Sequence, residues 1–238
     1  MEIRIIHEGT LSSTNDAARK LALAGEAEGC IVTCEEQTAG RGRLGRSWKY
    51  AEGSLAMSML LRPCIPADRI SMITIIAAMA VRNALEKCCM LSTGIKWPND
   101  IKCGGRKLCG ILTEGVFAGN RSFAVLGIGI NLLDGPFDDE IKDIAGSVEG
   151  CGGKNCEKDR LILSIASEFD RYYRRLQEDG DLSGFLEEYT GRCQTIGKYV
   201  TVSGRTALAQ GIDTMGRLIV SYPDGSSEAV VSGEVNLR

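Results

Sequence analysis

The stretch "QTAGRGRLGRSW", residues 37 to 48, interleaves glycine with Arg41, Arg43 and Arg46. Arginine forks meet phosphate and carboxylate bidentately, so this pattern suits the binding of an anion by side chains. Gly40, Gly42 and Gly45 also match the spacing of a dinucleotide-binding fingerprint. That fingerprint needs a helix beginning inside the glycines, whose N–H groups receive the pyrophosphate. Here "RSWKYAEGSL" follows, and Gly53 and Ser54 break any such helix. A kinase-type glycine loop fails as well, because no "HRD" or "DFG" segment follows. The residues read as an arginine-lined anion clamp, with a solvated basic turn as the alternative.

A second group lies in "KWPNDIKCGGRKLCGIL", residues 96 to 112. Pro98 holds the preceding residue extended, Asn99 and Asp100 favour a turn, and Gly104 and Gly105 suit a hairpin. Lys96 and Lys107 can then face one site, or the hairpin can simply carry its lysines in solvent with Asp100 capping the turn. A third group is "VLGIGINL", residues 125 to 132, a buried strand with Gly127, Gly129 and Asn131 on one face. Glycine within a strand implies close approach to the backbone, by a ligand or by another protein segment.

Around these groups, "EIRIIHE" reads as a strand and "SSTNDAARKLALAG" as a helix, with Ser12, Ser13 or Thr14 as N-cap and Gly25 as its stop. "CIVTCEEQ" and "GSLAMSMLLRP" read as strands, the latter alternating. "PADRISMITIIAAMAVRNALEKC" reads as a buried helix with Asp68 in its first turn and Lys87 in its last. Strands "TGIKWP", "RKLCGILTEGVF" and "FAVLGIGINLL" follow, then a loop-rich stretch from Asp134 to Asn155. A long amphipathic helix, "EKDRLILSIASEFDRYYRRLQEDG", precedes a shorter one, "LSGFLEEYT". From Gly191 the pattern changes to short strands with an Asp-Gly turn, a small barrel-like unit that must lean on the rest. Two units are expected, 1–190 and 191–238.

Of 238 residues 44% are apolar and 25% charged, and the net charge is −3, so there is no global attraction to nucleic acid. The longest apolar run, Ile70 to Val81, is too short to span a bilayer. No signal peptide precedes the first strand. Ten cysteines form no Cys-x-x-Cys pair, which argues against zinc and for reduced thiols acting as small hydrophobes in a cytoplasmic protein. Cys151 and Cys156 are the pair most prone to oxidise.

Taken together and in order, "SSTN", "EEQTAGRGRLGRSW", "KWPNDI", "RKLCGIL", "GIGINL" and "SGEVNLR" resemble the biotin protein ligase family over nearly the whole chain. The resemblance implies an α+β fold, a mixed sheet with helices like that of class II aminoacyl-tRNA synthetases, followed by a small SH3-like barrel. It implies an enzyme that joins biotin to ATP as biotinyl-5′-AMP, with Mg²⁺, and passes the biotin to a lysine of a biotin carboxyl carrier domain. Lipoate or octanoate ligation on the same fold and a non-catalytic biotin sensor are the alternatives. Relatives that handle lipoate or octanoate look for a glycine run followed by His, whereas the single histidine here, His7, lies in the first strand.

By motif position, the resemblance assigns Ser13, Thr14, Asn15 and Gln37 to the biotin ring, and Gly40, Arg41, Gly42 and Arg43 to a loop closing over it. Gly110, Leu112, Gly127 and Gly129 line the same pocket. Arg43, Arg46, Trp48, Lys96, Asn99, Lys107 and Asn131 are assigned to ATP and the adenylate, with Trp48 on the adenine and Asn131 near the metal. Lys107 would also hold the biotin carboxylate. Lys107, Arg43, Lys96 and Asp100 are the catalytic candidates, Asp100 serving the acceptor amine. No protein cage for a metal is expected, because Mg²⁺ rides mainly on phosphates. The catalytic segment begins near residue 1, like the monofunctional group without a winged-helix domain, so no DNA or membrane partner is expected. Edge strands leave room for a homodimer.

Overall fold

A computed structural model describes the chain except for residues 50, 51, 118, 120, 121, 155, 232–235 and 238. Most of the closing "SGEVNLR" therefore lies outside the described residues. The order is β1 (Arg4–Leu11), α1 (Thr14–Leu23), β2 (Cys30–Gln37), β3 (Gly40–Arg41), β4 (Ser47–Trp48), β5 (Leu55–Leu61), α2 (Ser71–Cys89), β6 (Gly94–Lys96), β7 (Asp100–Cys103), β8 (Arg106–Val116) and β9 (Phe123–Ile130). Then come α3 (Lys158–Asp179), α4 (Leu186–Thr190), β10 (Tyr199–Val202), β11 (Arg205–Ile212), β12 (Leu218–Ser221), β13 (Ser227–Val230) and β14 (Asn236–Leu237).

Seven strands form one mixed sheet in the order β1-β2-β5-β9-β8-β7-β6. Within it β1 and β2 run parallel, joined by α1, and the other neighbours are antiparallel. That helix covers one face through Ala18 and Ala22, against Val32, Leu60, Phe123 and Val125. The other face is covered by α2, apolar almost all round, and α3, whose Leu161, Ile165, Phe169, Tyr172 and Leu176 form one buried stripe. Because both faces are covered, every residue of β5 is buried instead of every second one. Asp68 also departs from expectation: it sits in a short 3₁₀ turn, Ala67–Arg69, and α2 starts at Ser71.

The last five strands form an antiparallel sheet in the order β13-β12-β11-β10-β14. Val200, Ala207, Ala209, Leu218 and Val220 belong to the same hydrophobic core as α2 and α3. Between the two sheets, Ile95 N–H donates to the Arg192 carbonyl at 2.9 Å, and Gln194 N–H returns a bond to the Ile95 carbonyl at 2.8 Å. Among the described residues no helix is long and apolar enough to cross a membrane.

The cysteines need one correction. Cys156 is disulfide-bonded to Cys89, at the end of α2, and not to Cys151. Proximity in sequence misled, because the segment before α3 folds back against α2, with Lys154 N–H on the Cys89 carbonyl. Cys30, Cys34, Cys88, Cys109 and Cys193 are free and buried, as expected of small hydrophobes. Burial pushes the Cys34 thiol up to about 11, which keeps it protonated and inert.

Candidate active site

The floor of the site is set by strand register. Across β5, β9 and β8, Ala56, Gly129 and Gly110 stand side by side, as do Ser58, Gly127 and Leu112. The glycines flatten this patch of sheet. A Cβ on Gly129 would stand 2.5 Å from the Trp48 ring, and one on Gly110 would stand 2.9 Å from it, so the indole lies directly on the two backbones. Gly127 makes room for Asn15 in the same way. The occupants of this glycine face are thus Asn15 and Trp48, both side chains of the protein.

One end of the site is built from amides and hydroxyls. Ser13 precedes α1 in extended backbone but makes no capping bond with its side chain. Instead Gln37, at the end of β2, turns its Oε1 to the Thr14 N–H at 2.9 Å and to the Thr14 hydroxyl at 3.2 Å. A borrowed side chain thus satisfies the helix start and leaves the buried Ser13 hydroxyl facing the cleft. Ser58 Oγ lies 2.8 Å from Thr14 Oγ1 and 2.6 Å from Asn15 Oδ1, while Asn15 Nδ2 donates to Glu114 at 2.6 Å. The amide orientations are therefore fixed from behind.

The glycine-arginine stretch forms a strap, with β3 and β4 paired as a two-stranded ribbon. Its tip needs left-handed backbone at Leu44 and Gly45, with φ of 58° and 74°. Arg41 does not point its fork at a ligand. It makes a bidentate pair with Asp16 at 2.6 and 2.8 Å and reaches Glu114 at 3.2 Å, tying the strap to α1 and β8. The bond to Arg41 holds the Asp16 carboxyl below its ordinary value, and the same bond raises Arg41. A carboxylate with a depressed folded pKa contributes above its unfolded value, near ~3.9, and that contribution is lost as pH falls through the depressed one. The tie is therefore constant across the neutral range. Asp16→Asn should weaken it by up to ~1 kcal/mol, since both groups are well exposed. Limited proteolysis at neutral pH should then cut the strap about fivefold faster, with global stability unchanged.

The opposite end is cationic. Lys96 stands opposite Asp100, and Asp100 opposite Gly110, across β6, β7 and β8. A register shift after Ile101 sets Lys102 opposite Lys107 and leaves Leu108 as the extra residue of β8. Leu108 is fully buried in the core, and the bulge turns Lys107 to the cleft side. Lys107 Nζ lies 2.7 Å from Asp100 Oδ1, an ionic contact rather than an aligned hydrogen bond, and 5.6 Å from the centre of the Trp48 ring. The Lys107 backbone is clamped between the Ile144 carbonyl and the Gly146 N–H. From the strap, Arg43 donates to Asn99 Oδ1 at 2.8 Å. Burial pulls the Arg43 guanidinium below its ordinary value, and Asp100 opposes that pull.

The turn that carries Asn99 and Asp100 is anchored by Trp97. This indole is buried, donates its N–H to the Gly216 carbonyl at 2.9 Å, and has its backbone N–H on Thr195 Oγ1 at 3.0 Å. Both acceptors belong to the C-terminal part of the chain.

Both ends open into one cleft of ≈ 370 Å³ beneath the strap. Ser13, Thr14, Asn15, Gln37, Arg41, Gly42, Arg43, Arg46, Trp48, Lys96, Asn99, Asp100, Lys107, Gly110, Leu112, Gly127 and Gly129 all line it. Two expected residues do not. Gly40 sits behind the wall, where a Cβ would strike the Gln37 amide at 2.4 Å. Asn131 lies past the end of β9, buried, with its Nδ2 on the Gly146 carbonyl at 3.0 Å. It steadies the segment that clamps Lys107 instead of facing the cleft. Sequence reasoning passed over Lys102, Trp97 and Ile144, which also line the cleft. Lys102 carries a readable signal, since it stands two residues beyond Asp100 in a strand. Among the described residues Asp100 is the one carboxylate of the lining and is engaged by Lys107, and no cluster of three metal-ligating side chains occurs.

Residues 9–131 match the model of the biotin/lipoate A/B protein ligase family, which is more than half of the chain. The chain belongs to this family. Residues 195–238 match a second model, the biotin protein ligase C-terminal domain. Among relatives of this family, the bifunctional ligase/repressor BirA of Bacillus subtilis is 36% identical over 240 residues, covering 98% of this chain and 74% of that protein. The biotin–[acetyl-CoA-carboxylase] ligase of Paracoccus denitrificans is 34% identical, covering 90% of this chain and 92% of its own length. The biotin protein ligase of Aquifex aeolicus, solved in complex with biotin and ATP, superposes with a TM-score of 0.84 at 26% identity, over 99% of this chain and 98% of that one. The α+β ligase fold with its C-terminal antiparallel sheet is common to family and chain.

Proposed function

We propose that this chain is an ATP-dependent biotin protein ligase. It joins biotin to ATP as biotinyl-5′-AMP, releases pyrophosphate, and passes the biotin to one lysine of a biotin carboxyl carrier domain. The observation that carries this reading is a single strapped cleft, hydroxyl and amide at one end and cationic at the other, in a family member that also matches the biotin-specific C-terminal model. That second match favours biotin over lipoate.

The geometry supports a division of labour. Attack of a carboxylate on the α-phosphate brings two anions together, and fixed cations lower that cost most in a water-poor cleft. Lys107, Lys96, Arg43 and Arg46 take this role, with ATP arriving as its magnesium complex. Ser13, Thr14, Asn15 and Gln37 hold the ureido ring, an array of donors and acceptors that amides and hydroxyls match. Trp48 shields the adenylate, a mixed anhydride that water would destroy, and the strap of residues 40 to 48 covers it. In the second step the carrier amine, with an ordinary pKa of ~10.4, arrives protonated, and Asp100 orients it and helps remove its proton.

The direct test is biotin-dependent exchange of labelled pyrophosphate into ATP, run in parallel with lipoate. Absence of exchange with biotin would sink the reading, and exchange with lipoate alone would replace it by the neighbouring chemistry. Asp100→Asn is expected to slow transfer from preformed biotinyl-AMP by about 10²-fold while slowing exchange much less. Equal loss in both steps would remove Asp100 from the second.

The acceptor is the carrier domain of a biotin-dependent carboxylase, and an ATP-consuming reaction of this kind belongs in the cytoplasm. The outer side of β1, an edge strand exposed along most of its length, leaves room for a second copy of the chain.

A further inference from the structure

Three lysines and one carboxylate share one side of the β6-β7-β8 corner: Lys96, Lys102, Lys107 and Asp100 all line the cleft. Asp100 takes Lys107. Lys102 is half-buried, stands directly opposite Lys107, and its side chain has no hydrogen bond or ion pair among the described residues. Like charges opposite one another across a strand pair repel and destabilise the sheet. Here the bulge at Leu108 creates the juxtaposition, where an unbroken register would have set Lys102 against Leu108. The corner therefore carries more cations than its own carboxylate neutralises, and an anion entering the cleft relieves the repulsion.

We infer that Lys102 is a further substrate-binding residue, which holds the β- and γ-phosphates of ATP and the pyrophosphate that leaves. The inference rests on the ligase reading above. During adenylation the carboxylate oxygen of biotin bonds to the α-phosphorus and the bond to the β-phosphate oxygen breaks, so negative charge gathers on the departing pyrophosphate. Lys107 and Arg43 have other partners, Asp100 and Asn99. Lys102 is the cation of this corner whose donors have none among the described residues. Its contribution ends when pyrophosphate leaves, so it separates the two half-reactions.

Two measurements test this on the whole chain. Titration with inorganic pyrophosphate should give a dissociation constant about tenfold weaker for Lys102→Met than for the parent, with Lys102→Arg restoring most of the loss. The Michaelis constants for pyrophosphate and ATP in the exchange reaction should rise by the same factor, while the dissociation constant for biotin and the rate of transfer from preformed biotinyl-AMP stay unchanged. Unaltered pyrophosphate binding in Lys102→Met would overturn the inference. So would equal damage to biotin binding and transfer, which marks a structural role. If the parent binds pyrophosphate but catalyses no biotin-dependent exchange, the ligase reading fails, and the titration still decides what Lys102 does.

Discussion

Lys107→Met is expected to lower the rate of biotin-dependent pyrophosphate exchange by about 10²–10³-fold, the cost of removing one preorganised charge-stabilising donor. Lys107 is held by several independent constraints. The bulge at Leu108 aims it, the Ile144 carbonyl and Gly146 N–H hold its backbone, and Asp100 pairs its ammonium at 2.7 Å. A group fixed in advance does not have to reorganise as the reaction proceeds, and that is the source of its effect. Methionine keeps the length and the apolar stem, so circular dichroism and the melting temperature should stay near those of the parent. A loss of less than tenfold would shift the main neutralising role to Arg43 or Lys96.

The second large effect is expected from Gly129→Val, which adds volume and no charge. Valine is well suited to a strand, and the backbone of β9 can accept it. The added carbons must enter the space of Trp48, whose Cε2 lies 2.5 Å from the site of the new Cβ. The ring has to leave the floor, and with it the strap, because Trp48 pairs with Gly40 in the β3-β4 ribbon. Displacement by an ångström or more at a reacting centre costs about 10²-fold in rate. Exchange should fall by at least that much while the strands persist. Intrinsic fluorescence checks the cause. The chain has two tryptophans and Trp97 is buried with its indole N–H on the Gly216 carbonyl, so a red-shifted emission that disappears in the Trp48→Phe background identifies the displaced ring. Normal exchange in Gly129→Val would mean that Trp48 lies elsewhere in the working enzyme.

Much of this site is legible in the residues alone, and the rest divides by the kind of contact involved. The glycine-arginine strap can be read as one local unit, because Gly40 to Trp48 is one continuous stretch of chain. The fate of Arg41 cannot, because its partners Asp16 and Glu114 come from α1 and β8, remote in sequence. Strand alternation places Gly127 and Gly129 correctly on one face. It fails at Asn131, because β9 ends at Ile130 and alternation has no meaning past the last paired residue. Alternation puts Lys102 on the Asp100 face, but its pairing with Lys107 escapes for a related reason. A bulge is a change of phase, and its position depends on the partner strand. The Cys89–Cys156 link joins two segments that only the tertiary fold brings together.

Trp97 links the cleft to the C-terminal part of the chain. Its two N–H groups hook the turn bearing Asn99 and Asp100 onto Thr195 and Gly216. The alignment of the Asn99–Asp100 turn thus depends on the C-terminal part of the chain. Gentle heating or mild denaturant that loosens this joint would silence the enzyme while the large sheet is still intact. The half-life of activity then measures how firmly the C-terminal sheet is seated, and the melting of the large sheet measures something else.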